Sequence, residues 1–543
     1  MDDKDVADVL IVGGGTSAGV AAKHLAEAGF KVVCLEQGDW ISQSDIPGDK
    51  VEFELLNSKQ WSADPNIRGR RQDYPTDLSE SDVATFMFNG VGGSSILWGA
   101  IWPRPMPSDF RVRTLDGVAD DWPISYEELQ PFYEAMDLEM GVSGLGGNPA
   151  YPPGIAPPLP PLPIHKTGRR MAEGMNSLGW HWWPGTNAIP SKDYRNQKQC
   201  VRYGLCRFGC PHGSKASTDI THFPIAQQHG AQIITGARVA QVTINEKGLA
   251  NGAIYIKDGK EHFQAASTVI LAASGIGTPR ILLMSTSKQF PDGLANSSGL
   301  VGKNLMLHPP ATVVGLYEEE LEDWIGPAGE FIGSMQFYES DPSRGFVRGA
   351  KWMLMPTSGP LTTVDRWTKG PGVSHEPFWG KDFAPKMKSS VGHMLQWVIV
   401  PEDLPEESNR VTLSPDLKDS DGLPAPKIHY RVSENTRRIL DFHIERAFDS
   451  HKAAGAYKWW VGGAKGTQSG SGHNTGTARM GNDPASSVVD RWGRTHDVPN
   501  LYIIDGSVFV TSTGVNVTPT ICALAKRTAT YIADNAKNEK VGK

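Results

Sequence analysis

Apolar runs and their spacing divide the chain before any chemistry is considered. Val9-Leu10-Ile11-Val12 is a short apolar run that ends in Gly13-Gly14-Gly15-Thr16-Ser17-Ala18-Gly19. A helix-period pattern follows through Leu25 and stops at Gly29, a residue suited to a C-cap. Lys31-Val32-Val33-Cys34-Leu35-Glu36 then reads as a second strand, which completes a βαβ unit and calls for a parallel sheet. Residues 232–256 place Val239, Val242, Ile244, Ala253 and Tyr255 in a hairpin-like alternation. Thr268-Val269-Ile270-Leu271-Ala272-Ala273 is continuous in apolar character and predicts a strand buried on both faces, with a helix after Ser274. Residues 310–470 are mixed and strand-prone. The end of the chain returns to a strand at Leu501-Tyr502-Ile503-Ile504 and a helix from Pro519. Residues 40–85 are polar and turn-rich and predict a long surface excursion. Pro149 to Pro163 is dense in proline and predicts a stiff, extended connector.

Length and charge narrow the function classes. At 543 residues the chain exceeds one simple domain and predicts two, tandem or interleaved. Lys and Arg number 53 against 60 Asp and Glu, a net charge of −7, which argues against nucleic acid as the partner. No apolar run approaches the roughly 18 residues of a membrane span. The first residues, Met1-Asp2-Asp3-Lys4-Asp5, lack the basic and apolar regions of a signal peptide. Cytoplasmic residence is therefore the default expectation, with export alongside a signal-bearing partner subunit as the alternative. Five cysteines are too few for a disulfide framework.

Gly13-x-Gly15-x-x-Ala18 has the spacing of a dinucleotide-binding turn. The first glycine permits the tight turn, the second lets backbone approach a diphosphate, and the small third residue lets helix and strand pack closely. Thr16 and Ser17 open the helix, whose positive end attracts the phosphates. Glu36 follows about 20 residues on, where a carboxylate accepts hydrogen bonds from a ribose hydroxyl. This pattern does not by itself separate NAD from FAD.

The strings Gly472-His473-Asn474-Thr475-Gly476-Thr477-Ala478-Arg479-Met480-Gly481, Asp505-Gly506-Ser507 and Gly514-Val515-Asn516-Val517-Thr518-Pro519 carry a specific resemblance. With the Asn89-Gly90-Val91-Gly92-Gly93-Ser94-Ser95 loop and the Thr278-Pro279 segment, the chain resembles the glucose–methanol–choline (GMC) oxidoreductases nearly end to end. Within that family it is most similar to bacterial glycoside 3-dehydrogenases, C-glycoside oxidases and pyranose oxidases. The resemblance implies an α/β fold in which a Rossmann-like FAD-binding domain is interleaved with a substrate domain on a largely antiparallel sheet. Residues 1–130, 215–310 and 471–543 are expected in the first, and residues 131–214 and 311–470 in the second. It implies His473 as general base and Asn516 as its partner on the substrate oxygen. It places Gly92, Gly93, Ser94 and Ser95 along the flavin and diphosphate, Asp505 and Gly506 at the ribityl-diphosphate, Thr518 at the pyrimidine edge and the Val239 backbone at the adenine. Leu97 stands where pyranose oxidases often carry a flavin-linked histidine, so FAD is expected to be non-covalent. Val517 and Pro519 depart from the family's usual Asn-Pro-Thr order, which predicts a different local turn. A neutral imidazole with a pKa near 6.5 suits the proton half of alcohol oxidation.

Cys200, Cys206 and Cys210-Pro211 form a C-x₅-C-x₃-C-P run. Such a run resembles iron–sulfur ligation and is a candidate [3Fe–4S] site. Zinc with His212 as a fourth ligand and a purely structural thiol cluster are the alternatives. His393 to Val400 predicts a strand over the flavin, with Gln396 on the face of Met394 and Val398. Gln396 is a candidate for bonding a sugar hydroxyl, or else a satisfied core amide. Trp180, Trp182 and Trp183 suit sugar stacking or an aromatic core. The substrate expectation is a carbohydrate or glycoside oxidised at a secondary ring hydroxyl, with C3 favoured. The rivals are a non-sugar alcohol, a NAD-dependent dehydrogenase, and a non-catalytic electron-transfer or binding subunit.

Overall fold

The first apolar run forms the strand Ala7–Val12, parallel to Val32–Leu35 on one side and to Lys260–Leu271 on the other. The structure, a computed structural model, describes residues 6–357, 359–368, 379–462 and 470–541. Gln232–Ile234 extends the parallel layer beside Val32–Leu35, and Leu501–Ile503 extends it beside Lys260–Leu271. Both faces are covered. Leu10, Val12, Val33, Leu35, Val269 and Leu271 pack on one side with Phe110, Trp122 and Tyr133. Val9, Ile11, Val32, Cys34 and Ile270 pack on the other with the helix Thr16–Glu27 and the last helix, Thr518–Val541. Strands covered on both faces are continuous in apolar character, which is why these runs were readable without alternation.

Lys260–Leu271 belongs to two arrangements. Its first half pairs antiparallel with Ala250–Lys257, which pairs antiparallel with Arg238–Ile244; its second half lies inside the parallel layer. The helix Tyr126–Met140 runs across the expected domain boundary at residue 130. Its Tyr133 packs into the parallel layer's core.

The second sheet has six antiparallel strands in the order Lys458–Val461, Ala311–Leu316, Met394–Pro401, Ala350–Met355, Ile332–Ser334, Trp183–Pro184. Period-2 alternation splits its faces. Trp352, Leu354, Leu395, Trp397 and Ile399 pack on the helices His165–Ser177 and Glu434–Ala453. Met353, Met355, Val398 and Val400 turn to the opposite face, toward the parallel layer's glycine loop.

Two expectations change. Residues 40–85 are more than a surface excursion: Tyr74 and Val83 join a buried cluster, and Asp77–Ser81 pairs in parallel with Pro424–Tyr430. Trp180 and Trp182 pack against the core under the antiparallel sheet, and Trp183 is a strand residue at its edge. None of the three lines the central cavity. Among the described residues no helix is long and apolar enough to cross a membrane.

Candidate active site

A cavity of about 930 Å³ runs between the glycine loop and the antiparallel sheet. Gly13, Gly14, Gly15, Thr16, Ser17, Glu36 and Val239 line one end. Gly13 has φ +97°, and a Cβ there would stand 2.6 Å from Ala272 O, so only glycine fits this turn. Gly93, at φ +56°, brings the second loop so close that a Cβ would stand 2.8 Å from Gly15 Cα. Gly92 and Ala18 do not line the cavity. The Gly92 N–H donates to Gly14 O at 2.8 Å and ties the two loops together, while Ala18 is fully buried against the sheet. The Thr16–Glu27 helix begins at Gly15 with no side-chain cap and no acidic residue in its first turn. Its first N–H groups therefore keep their donors for an anion. Glu36 is fixed by the N–H of Gly14 at 2.5 Å and of Gly38 at 2.7 Å, and burial raises its pKa. Asp505 accepts from Ser507 N at 2.9 Å and from the Ser507 hydroxyl at 2.6 Å, and burial raises it too.

This lining fits a flavin dinucleotide. The helix end suits a diphosphate. Ser94, Ser95, Leu97, Gly506 and Thr518 carry the lining onward. Two buried oxygens, Asn474 Oδ1 and Asn516 Oδ1, have no partner in the protein although their residues line the cavity. Buried polar atoms in that state call for a ligand or water.

His473 stands on the cavity wall with Asn516 Nδ2 3.5 Å from its Nε2. Its Nδ1 lies 3.0 Å from Nδ1 of His308, a residue the sequence did not single out. An amide nitrogen only donates, so Nε2 of His473 is an acceptor whose lone pair faces Asn516 on the cavity wall. Nδ1 then bears the hydrogen and donates to His308, whose own proton sits on Nε2, a buried atom with no partner in the protein. Burial pushes His473 down to about 4, and burial together with His473 lowers His308 further, so both rings are neutral at pH 7. Backbone pairing of Met306 with Thr475, at 3.0 and 3.1 Å, brings the two segments side by side. Asn474 Nδ2 is held by Phe86 O at 3.1 Å. Asn516 lies two residues before the last helix.

Gln396 is corrected. It lies on the strand face expected, but it is fully buried and does not line the cavity. Its Nε2 donates to Pro356 O at 2.5 Å and its Oε1 accepts from Arg366 Nε at 3.0 Å. The helix Pro360–Thr368, which the sequence reading did not place, comes between it and the cavity. Arg366 lines the cavity instead, with Arg207.

Cys200, Cys206 and Cys210 share a separate cavity of about 20 Å³ with Lys215. Burial pushes the Cys200 thiol up to about 12 and raises Cys206. Lys215 donates to the carbonyls of Ile96, Trp98 and Cys206 at 2.8, 3.1 and 2.8 Å. Among the described residues no trio of His, Cys, Asp or Glu is placed to hold a metal ion.

Profiles described as GMC oxidoreductase match residues 7–310 and 405–525. The chain is 40% identical to 2-methyl-1,2-propanediol dehydrogenase of Mycolicibacterium austroafricanum, over 97% of this chain and 95% of the relative. It is 29% identical to the fructose dehydrogenase large subunit of Gluconobacter japonicus, covering 98% of each. To paromamine 6'-oxidase of Streptomyces fradiae the identity is 28%, over 98% and 92%. In fold it is similar to pyridoxine 4-oxidase of Mesorbium loti, with a TM-score of 0.63 at 17% identity over 96% of this chain and 98% of that one. A formate oxidase of Aspergillus oryzae gives 0.66 at 17% identity, over 99% and 100%.

Proposed function

Because the chain belongs to the GMC oxidoreductase family, we propose that it oxidises a secondary ring hydroxyl of a sugar or glycoside, with C3 favoured, using non-covalent FAD. The coarser activity is that of an FAD-dependent oxidoreductase acting on CH–OH groups. The observation that carries the reading is His473 on the cavity wall, its acceptor Nε2 beside Asn516 Nδ2 and its Nδ1 held by His308.

The substrate hydroxyl lies against His473 Nε2 and gives it a proton, which a neutral, desolvated imidazole accepts for a contribution of typically 10²–10⁴-fold. Asn516 Nδ2, 3.5 Å from the same nitrogen, donates to the substrate oxygen and fixes it there. When bound, FAD supplies the hydride acceptor. His308 keeps the His473 ring from turning. Glu36, Asp505, Thr518 and the Val239 backbone hold the cofactor in this reading. Residues 1–130, 215–310 and 471–543 form the cofactor domain and residues 131–214 and 311–470 the substrate domain. In support, the strands of the parallel layer around Ala7–Val12 fall in the first set and the antiparallel strands of the six-stranded sheet in the second.

Sugar-directed names among the relatives support the substrate class. A non-sugar alcohol is the second reading, favoured by the 40% identical relative named for a small diol. Anaerobic bleaching of the flavin by a panel of glycosides, small diols and aryl alcohols separates them, with product position read by NMR. Glycosides are expected to bleach it and yield 3-keto products; bleaching by diols or aryl alcohols alone overturns the sugar reading.

A [3Fe–4S] cluster at Cys200, Cys206 and Cys210 belongs to the same proposal, supported by their common cavity. One water fills that volume, so the loop must open to take a cluster. Purified protein then contains about three Fe per chain; iron-free, fully active protein removes the cluster.

A further inference from the structure

Arg207 and Arg366 line the active-site cavity without belonging to its glycine loop. Arg366 is anchored. Its Nε donates to Gln396 Oε1 at 3.0 Å and a terminal nitrogen to Gly462 O at 3.3 Å. The Asp365 carboxylate stands 3.9 Å away, at the limit of an ion pair. Arg207 is different: among the described residues its guanidinium makes no hydrogen bond and no ion pair. Burial and the Arg207 charge together push Arg366 down to about 10. Glu54, also on the lining, forms no ion pair with either guanidinium. Its oxygens accept from Leu361 N, Thr362 N and the Thr362 hydroxyl at 2.9, 2.8 and 2.7 Å. Desolvated like charges with a carboxylate only at the limit of ion pairing are costly, and a ligand anion lowers that cost.

We propose that this part of the cavity is a subsite for an oxyanion carried by the alcohol substrate, a carboxylate or a phosphate monoester, gripped by Arg207 with Arg366 beside it. The planar fork of a guanidinium matches either group. The subsite rests on the reading of the cavity as an alcohol-oxidising site and names a substrate class for it: an acidic or phosphorylated polyol or sugar. It lies among different residues from the helix N-terminus at Gly15, where the dinucleotide's own phosphates are expected.

The test uses FAD-loaded protein and three related probes, glucose, gluconate and glucose 6-phosphate, with binding measured by calorimetry and flavin bleaching followed in parallel. At least one anionic probe is expected to bind tenfold or more tightly than glucose, and the two anions separate carboxylate from phosphate. In Arg207→Met that ratio collapses toward one; Arg366→Met gives a second, independent loss. Among the described residues Arg207 makes no hydrogen bond or ion pair that its replacement would break, so the variant tests binding rather than folding. Equal binding of the three probes overturns the subsite, as does a preference that survives both substitutions. Loss of FAD from Arg207→Met overturns it too, because the guanidinium then belongs to the cofactor. Anion preference without bleaching by any probe sinks the alcohol-oxidation reading and keeps the subsite; bleaching without preference does the reverse.

Discussion

His308 and His473 meet Nδ1 to Nδ1 at 3.0 Å across 165 residues of chain. One of the two nitrogens must carry the hydrogen, and Asn516 decides which. His308 is therefore a positioning residue that holds the base in its productive tautomer. His308→Phe keeps the ring volume and removes the acceptor. The rate of flavin reduction is expected to fall about tenfold with KM little changed, and the pH dependence of that rate to shift. His308→Gln, which can still accept at Oε1, is expected to recover part of the loss. Identical pH profiles in wild type and both variants would show that the pair has no part in catalysis.

His473→Ala removes the proton acceptor and leaves the glycine loop intact. The variant is expected to retain its yellow colour while anaerobic flavin reduction slows by at least about 10². Stopped-flow absorbance decides it, and unchanged kinetics would end the assignment.

Acid should act on rate and stability together. The folded protein holds His473 down to about 4 and His308 lower than usual, whereas both titrate near 6.5 once unfolded. Below about 6.5 the unfolded chain binds more protons than the folded one, so folding stability declines as pH falls toward 4 and is fully present above 6.5. Flavin reduction is expected to stay level through neutral pH and to drop only as the medium approaches the depressed His473 value. A kinetic step near pH 6.5 would contradict the burial of the base.

Gly93→Ala places a methyl 2.8 Å from Gly15 Cα on a backbone at φ +56°. The two loops must separate, and the approach to the diphosphate opens. The FAD-to-protein ratio after gel filtration is expected to fall below about half, by analogy with other strained left-handed positions. A full complement of FAD would show that the loop contact is dispensable.

Local signals carried much of this architecture. The Gly13–Ala18 turn, the strands around it and Glu36 are separated by short stretches of chain, so period and residue size were enough to place them. His308 left no trace, because its role arises only when Met306 pairs with Thr475. Gln396 shows a finer limit. Period-2 alternation found its face, but not the helix Pro360–Thr368 that covers it and turns its amide toward Arg366. Arg207 and Arg366 escaped for the same reason, since nothing along the sequence reports that two cations so far apart share one wall.

The Leu501–Ile503 strand closes the parallel layer beside a neighbour completed at Leu271, and it leads directly to Asp505 and Asn516. No nascent chain shorter than this can present a finished cradle. Cofactor capture therefore waits for this strand, and a ribosome stalled before it emerges would display an apoprotein whose interior is still open to water.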